Sequence, residues 1–208
     1  QPYIVMALLQ GHDLGQELKR NGPLKPSRAL PLFVGALEAL AEGHSAGVVH
    51  KDLKPSNPFL IHPGERDERM VVLDFGVARL NVDETESQKM TQTGHFLGTP
   101  QYLAPEYVND QIVTPVLDVY QMGLILVESL IGHPLIQAPT MVKCVLKSSL
   151  GEFTVPDALV QSALGPAVMR ALAFNHEARF TEAGAFAEAL KAIDGDGLDD
   201  LEFADTRQ

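Results

Sequence analysis

One stretch of the chain, residues 116–131, limits the possible folds more than any other. It is strongly apolar, and its apolar positions recur at helical spacing on more than one side. A helix that is apolar nearly all round must be covered by other elements, so this stretch predicts a buried helix. The remainder of the chain is expected to pack around it.

The remaining patterns predict more helices than strands. Helical periodicity occurs over residues 13–20, 27–47, 139–148, 158–173 and 181–193. Short apolar runs at residues 3–9, 58–61 and 70–75 are typical of strands, and the charged loop between the last two indicates a hairpin. Residues 76–112 have no sustained period and predict a long loop, which in a compact domain is usually functional. The predicted fold class is α+β, mostly helical, with one β-hairpin and a leading strand.

The composition fits a single soluble domain. The chain has 208 residues and 45% hydrophobic content, enough for one sizeable core. A formal net charge of −11 argues against a nucleic-acid binder that works by neutralising phosphates. No apolar run reaches the roughly 18 residues of a membrane span. One cysteine and no recognisable signal peptide favour the reducing cytoplasm.

The chain divides into a domain and a tail. The last helical pattern ends near residue 193, which sets the predicted domain at residues 1–193. Residues 194–208 are acidic and contain glycines, so they predict a flexible tail.

Candidate chemistry is concentrated in the segment "HKDLKPSN", residues 50–57. The Asp52 carboxylate could accept a proton from a hydroxyl group, and the Lys54 ammonium could neutralise an anion. The Asn57 amide oxygen suits a hard cation, and Mg²⁺ usually binds through one or two carboxylates plus substrate phosphates. Asp74 ends the second hairpin strand, so strand pairing is expected to bring it beside Asn57. Phosphoryl transfer requires this set of groups, because its catalysis is mostly positioning and charge stabilisation.

Several segments in this order resemble eukaryotic-type protein kinases, and the bacterial Ser/Thr kinases most of all. "HKDLKPSN" resembles their catalytic loop, and "DFG" at residues 74–76 resembles their metal-binding motif. The other segments that carry the resemblance are "GTPQYLAPE" (98–106), the central helix (118–135) and "NHEARFTEAGAFAEAL" (175–190). A lone "DFG" would be weak, but ordered motifs at family spacing are specific.

The resemblance covers roughly residues 3–193 and implies a kinase-like C-terminal lobe that uses ATP and Mg²⁺ on a protein substrate. The net charge and the short apolar runs add the expectation of no nucleic-acid partner and no membrane segment within this chain. It implies that Asp52 is the catalytic base and that Lys54 lies against the transferred phosphate. It implies that Asn57 and Asp74 hold Mg²⁺.

The resemblance also implies a nucleotide site. Residues 3–9 are similar to the strand that enters the hinge, with Met6 at the gatekeeper position and the backbone of Leu9 meeting adenine. Asp13 matches the position that often touches ribose, and Phe59 is expected to lie under the adenine ring.

Buried contacts are expected around this site as well. The resemblance implies that His50 packs against Phe75. Asp118, near the start of a buried helix, is expected to accept hydrogen bonds from backbone N–H groups. Glu106 and Arg179 are expected to form a buried ion pair that ties the activation segment to the late helices.

The sequence departs from the family pattern at three positions. Ala7 stands where the hinge often has an acid. Lys51 stands where arginine is usual, and Pro58 follows Asn57 where an aliphatic residue is usual. Thr91 and Thr93 lie where activating phosphorylation usually falls, but ordinary solvated loop residues fit the same stretch.

Residues 1–208 contain no Gly-rich loop, strand lysine or partner glutamate of a kinase N-terminal lobe. The expectation is therefore a C-terminal lobe, either a fragment, which is favoured, or a naturally truncated product, and inactive as this chain alone. The principal prediction is a Ser/Thr protein kinase. The alternative is a non-catalytic, kinase-like scaffold or binding module.

Overall fold

The computed structural model describes residues 7–75 and 99–201. Within them are three strands, eight α-helices and three short 3-10 helices. The strands are β1 (Gly11–Asp13), β2 (Pro58–Ile61) and β3 (Arg69–Val72). The α-helices are α1 (Leu14–Asn21), α2 (Pro26–Ser45), α3 (Pro105–Asp110), α4 (Pro115–Ile131), α5 (Met141–Leu150), α6 (Asp157–Gln161), α7 (Gly165–Ala171) and α8 (Ala183–Lys191). The 3-10 helices are Pro100–Tyr102, His176–Ala178 and Asp196–Leu198.

Some predictions fall outside these residues. The first part of the predicted leading strand, the gatekeeper Met6 and the two candidate phosphorylation sites, Thr91 and Thr93, lie outside the described residues.

The core is built around α4, as its sequence predicts. Every residue from 117 to 130 is buried, and the helix packs against α2, α7 and α8. Pro115 occupies the first turn, where the missing N–H costs nothing, and Gly132 ends the helix at φ 84°. Each large apolar side chain buried in this way contributes about 1.5–3 kcal/mol. The prediction of a buried central helix is confirmed.

A three-stranded antiparallel sheet lies beside the helices in the order β1-β2-β3. The predicted hairpin is confirmed as β2 and β3, with Pro58 opposite Val72. Of the predicted leading strand, only residues 7–9 lie within the described range, and they have no regular structure; β1 begins beyond that prediction, at Gly11. Gly11 permits the pairing, because a Cβ on it would lie 1.8 Å from the Leu60 carbonyl oxygen.

The helix predicted over residues 158–173 is divided into α6 and α7. Gly165, the first residue of α7, approaches α6 closely at this break, because a Cβ on it would lie 1.9 Å from the Val160 carbonyl oxygen. The predicted loop at residues 76–112 is also partly wrong, because it contains the first 3-10 helix and α3. Both begin at a proline, which is favoured at the first helical position.

The packed part of the chain continues past residue 193, where the sequence ended the predicted domain. Leu198 is buried, and the Asp199 carboxylate accepts hydrogen bonds from Ser27 N and Oγ at 2.9 and 2.8 Å. Because Lys25, the N-cap residue of α2, provides no side-chain cap, Asp199 satisfies the start of that helix instead. Among residues 7–75 and 99–201, no helix has the length and apolarity needed to span a lipid bilayer.

Candidate active site

The backbone N–H groups of the loop at residues 50–54 donate hydrogen bonds to side chains and not to the backbone of a neighbouring strand. The N–H groups of His50 and Lys51 donate to the two oxygens of Asp118 at 2.8 and 2.9 Å. Asp118 is fully buried in the first turn of α4, where the helix dipole favours a negative charge. His44 donates to the same carboxylate at 2.8 Å. The expectation that Asp118 would bind backbone N–H groups is confirmed.

The other three N–H groups of this loop also have side-chain acceptors. Leu53 N donates to Gln121 Oε1 at 3.0 Å, and Lys54 N donates to Asn57 Oδ1 at 3.0 Å. Asp52 N makes a longer contact of 3.4 Å with Nδ1 of His50. A loop without regular structure is therefore fixed along its length, which limits the positions open to the Asp52 side chain.

The Asp52 and Lys54 side chains contact each other directly. Lys54 Nζ lies 3.0 Å from Asp52 Oδ2. The Lys54 side chain is 32% exposed, and the Asp52 side chain is 36% exposed. Asn57, by contrast, is 5% exposed. The Asp52 carboxylate and the Lys54 ammonium are therefore accessible to a ligand, while the Asn57 amide is buried.

Asp74 is joined to this group through its neighbour in β3's extension. Leu73 N donates to the Asn57 carbonyl at 2.9 Å, and the Leu73 carbonyl accepts from His50 Nε2 at 2.8 Å. Asp74 itself is exposed. A series of contacts thus runs from Asp52 through Lys54 and Asn57 to Leu73, the residue that precedes Asp74.

Phe75 anchors the other side of Asp74. Its ring lies 5.4 Å from that of His50, between centroids, which confirms the predicted packing. It also lies against Gly43 of α2, where an added Cβ would come within 2.8 Å of Phe75 Cε1. Gly43 is a contributor to the site that sequence reasoning missed, because the contact joins segments about thirty residues apart in the chain.

Two residues of the site have backbone conformations that favour glycine. Lys51 has φ 73° and Asp74 has φ 61°. Such conformations are uncommon for other residues and persist where the surroundings over-determine them. At Lys51 the bond to Asp118 does so, and at Asp74 the anchors on either side, Leu73 and Phe75, do so.

Two oxygen donors near β2 and β3 are of the chemical type that a hard divalent cation takes. Asn57 Oδ1 accepts one hydrogen bond and retains a second lone pair, and Asp74 supplies a carboxylate. A different set of candidate ligand atoms, within 4.8 Å of one another, belongs to His62, Glu65 and Asp67 in the β2–β3 turn. This turn cluster was not predicted, and exposed acidic groups of this kind are common without an ion.

The predicted nucleotide residues lie along β1 and β2. Asp13 pairs with Phe59 across the two strands, so these residues are neighbours. The Asp13 carboxylate caps α1 by accepting from Gln16 N at 2.9 Å. Leu9 lies just ahead of β1 and is partly exposed. Gly15 N donates to the Pro55 carbonyl at 2.9 Å, which joins the start of α1 to the loop that carries Asp52.

A family model described as "Protein kinase domain" matches residues 1–180. The chain belongs to the protein kinase domain family. The serine/threonine-protein kinase PknH of Mycobacterium bovis is 35% identical over 208 residues, which is 97% of this chain and 34% of that protein. Serine/threonine-protein kinase pkn3 of Myxococcus xanthus is 32% identical over 198 residues (92% and 36%), and PknB of Mycolicibacterium smegmatis is 34% identical over 203 residues (95% and 31%). The chain therefore spans about a third of the length of these relatives.

Within this kinase domain, Gln121 is the site residue that sequence reasoning missed most clearly. It is 2% exposed on α4, and besides Leu53 it contacts the Tyr102 carbonyl, with Nε2–O at 3.1 Å. Its signal was present in the sequence, since a polar residue inside a buried helix needs hydrogen-bond partners. The sequence could not show which backbone groups those partners are.

Arg179 and Glu106 form a buried ion pair, as expected. Arg179 Nη1 and Nη2 lie 2.8 and 2.9 Å from the two oxygens of Glu106. Arg179 Nε also donates to the Ala173 carbonyl at 2.7 Å, and its guanidinium lies 4.3 Å from the centroid of the Tyr120 ring. Because both partners are almost unexposed, this pair is a structural tie and not a ligand site.

Another buried carboxyl group, that of Glu128, has no cationic partner among residues 7–75 and 99–201. Glu128 on α4 accepts a hydrogen bond from the Tyr102 hydroxyl at 2.7 Å. Burial raises the pKa of Glu128 from 4.5 to about 7, although the Tyr102 hydrogen bond opposes that rise. Burial also raises the pKa of Tyr102, with Glu128 as the next cause, so the hydroxyl stays protonated.

Proposed function

We propose that this chain is the catalytic part of a Ser/Thr protein kinase, which transfers the γ-phosphate of ATP to serine or threonine hydroxyls of a protein. One observation carries the proposal. The Asp52–Lys54 contact is open to solvent, and it is joined through Asn57 to the strand end that bears Asp74. Membership of the family supports it, and so do the relatives' names.

In this proposal Asp52 is the general base. Its partly exposed carboxylate accepts the proton of the substrate hydroxyl while the oxygen forms its bond to the γ-phosphorus. The bond between that phosphorus and the bridging oxygen of ADP breaks, and ADP leaves with the electron pair. The fixed loop places Asp52 for this step before the substrate arrives.

Lys54 supplies positive charge at the same point. Its Nζ contacts Asp52 Oδ2 at 3.0 Å, so it can meet phosphate oxygens beside the attacked phosphorus. A positive charge already in position stabilises the charge of the transferred group at no reorganisation cost.

Asn57 and Asp74 would hold Mg²⁺, which supplies neutralisation of the ATP phosphates when bound. Asp13 and Phe59, paired across β1 and β2, are proposed to contact ribose and adenine. The backbone of Leu9 is proposed to meet the adenine edge. The proposed metal ligands, Asn57 and Asp74, are polar, as Mg²⁺ requires, and the proposed adenine contact, Phe59, is apolar, as a base ring requires.

The test is label transfer from γ-labelled ATP with Mg²⁺, using the protein together with any sequence that precedes residue 1 in its gene. Wild type should label serine or threonine, and Asp52→Asn should lower the rate by roughly 10²–10⁴-fold, the usual contribution of a general base. Asp110→Asn, a change at an exposed position at the end of α3, is the matched control and should keep the wild-type rate.

Two outcomes would reject the proposal. If Asp52→Asn transferred label as fast as Asp110→Asn, Asp52 would not be the base. If wild type bound Mg·ATP but transferred no label to any hydroxyl, the non-catalytic binding module would be the better description.

A further inference from the structure

Gln121 occupies an unusual place for a polar side chain. It lies in the middle of α4, one helical turn after Asp118, and is 2% exposed. An uncharged amide buried this deeply costs free energy unless its donor and acceptor are both satisfied. Its contacts therefore show which backbone groups it holds.

The two ends of this amide reach two different segments. Oε1 accepts from Leu53 N at 3.0 Å, and Nε2 donates to the Tyr102 carbonyl at 3.1 Å. A third contact, from Nε2 to the Lys51 carbonyl, is at the 3.5 Å limit and adds little. Leu53 follows Asp52 directly, and Tyr102 ends the 3-10 helix that follows the undescribed stretch.

Asp118 and Gln121 divide the support of Asp52 between them. Asp118 fixes the two N–H groups before Asp52, at His50 and Lys51, and Gln121 fixes the one after it, at Leu53. Gln121 also bonds to the segment at Tyr102, whereas the described contacts of Asp118 are with His44, His50 and Lys51.

We propose that Gln121 is a positioning residue, whose amide couples the backbone beside Asp52 to the backbone at Tyr102. The coupling itself is a property of the structure, and its catalytic consequence rests on the proposed kinase function. Rearrangement of the segment at Tyr102 is then transmitted through one side chain to the loop that carries the base. Gln121 touches neither substrate nor nucleotide in this role, so its loss lowers turnover without changing ATP binding.

The first test reads the coupling without activity. Gln121→Met keeps the length of the side chain but removes its donor and acceptor. The NMR amide-proton resonance of Leu53 should move upfield, because that N–H loses its acceptor, while those of His50 and Lys51 stay in place. Gln161→Met, at an exposed position, should move none of them.

The second test uses a residue that can imitate the amide only when protonated. A protonated carboxyl has one donor and one acceptor, so Gln121→Glu should work at low pH, and its ionised form should repel the Tyr102 carbonyl. The introduced carboxyl is buried on α4, which also carries the Asp118 and Glu128 carboxylates; His50, Lys51 and Asp52 lie on the loop, and Tyr102 lies on the segment that α4 contacts. Burial raises its pKa.

The kinetic expectation follows from that ionisation. The ratio of kcat for Gln121→Glu to kcat for wild type should be near one at low pH and should fall about tenfold or more as pH rises past the carboxyl's pKa. The KM for ATP should stay within about twofold. Gln161→Glu should give a ratio that does not change with pH.

The outcomes separate this inference from the proposed function. An unmoved Leu53 resonance in Gln121→Met overturns the coupling, whether or not the protein is a kinase. A moved resonance with a flat kcat ratio, or with a change confined to KM, overturns the positioning role. If wild type transfers no phosphate, the proposed function fails, and the Leu53 resonance still decides the coupling. If Gln121→Glu does not fold, kcat of Gln121→Met replaces it, with a fall on the order of ten- to a hundredfold expected.

Discussion

Two carboxylate–cation contacts in this protein have similar distances but different surroundings. Lys54 and Asp52 meet at 3.0 Å with about a third of each side chain exposed. Arg179 and Glu106 meet at 2.8 and 2.9 Å with almost no exposure. The first pair lies on the loop with the candidate chemistry, and the second joins α3 to the segment before α8.

The difference in exposure distinguishes a pair that stabilises the fold from a pair that is available to a ligand. The buried pair has two parallel hydrogen bonds, a carbonyl partner and the Tyr120 ring, so removing one member leaves a buried charge without a partner. The open pair is screened by water and is worth little to stability. It is therefore free to exchange its internal contact for contacts with a ligand. Three predictions test this separation, from the largest change in stability to the smallest.

Breaking the buried pair should have the largest effect. Arg179→Met should lower the free energy of unfolding by about 3–5 kcal/mol, because the Glu106 carboxylate stays buried without its cation. Denaturant unfolding measures this change, with Arg66→Met at an exposed position of the β2–β3 turn as the control. A loss under about 1 kcal/mol would place the buried pair in the same class as the open one.

Glu128 shows what burial does to a carboxyl group whose partner, within the described part of the chain, is a hydroxyl and not a cation. Its folded pKa is raised from 4.5 to about 7, so the folded state binds the proton more tightly than the unfolded state does. Its contribution to stability is complete below pH 4.5 and is lost as pH rises through 7, and the total is on the order of 3 kcal/mol. Urea unfolding at pH 5 and pH 8 measures this loss.

Glu128→Gln is the matched variant, because an amide can still accept from the Tyr102 hydroxyl but cannot ionise. The difference in unfolding free energy between pH 5 and pH 8 should shrink in this variant by the amount assigned to Glu128. An unchanged difference would assign the pH dependence to other groups.

The open pair should show the smallest change in stability. Lys54→Met should alter the free energy of unfolding by no more than about 1 kcal/mol, since the pair is partly exposed. The rate of phosphate transfer should nevertheless fall, because the cation beside the transferred group is gone. Denaturant unfolding and label transfer on the same samples measure both. A stability loss as large as that of Arg179→Met would contradict the separation.

The sequence predicted those features that follow from local patterns or from family motifs. The central helix, the hairpin and the Asp118 contacts follow from periodicity and from the needs of buried polar groups. The Glu106–Arg179 pair and the His50–Phe75 packing follow from the family resemblance.

The features that were missed depend on tertiary contacts. Strand β1 forms because Gly11 allows a close approach to Leu60, against the low strand propensity of its residues. Gln121 bonds to Leu53 and Tyr102, which lie 68 and 19 positions away in the chain. No periodicity in one sequence shows such pairings.

We propose that a metal-bound nucleotide binds at Asn57 and Asp74, beside the open pair, and not at the turn cluster of His62, Glu65 and Asp67. Paramagnetic broadening by Mn·ATP tests it directly, in the protein with any sequence that precedes residue 1 in its gene. The account predicts that the Asn57 side-chain amide and the backbone amides of residues 73–75 broaden first. Broadening centred on the turn cluster, with Asn57 and residues 73–75 unaffected, would contradict it.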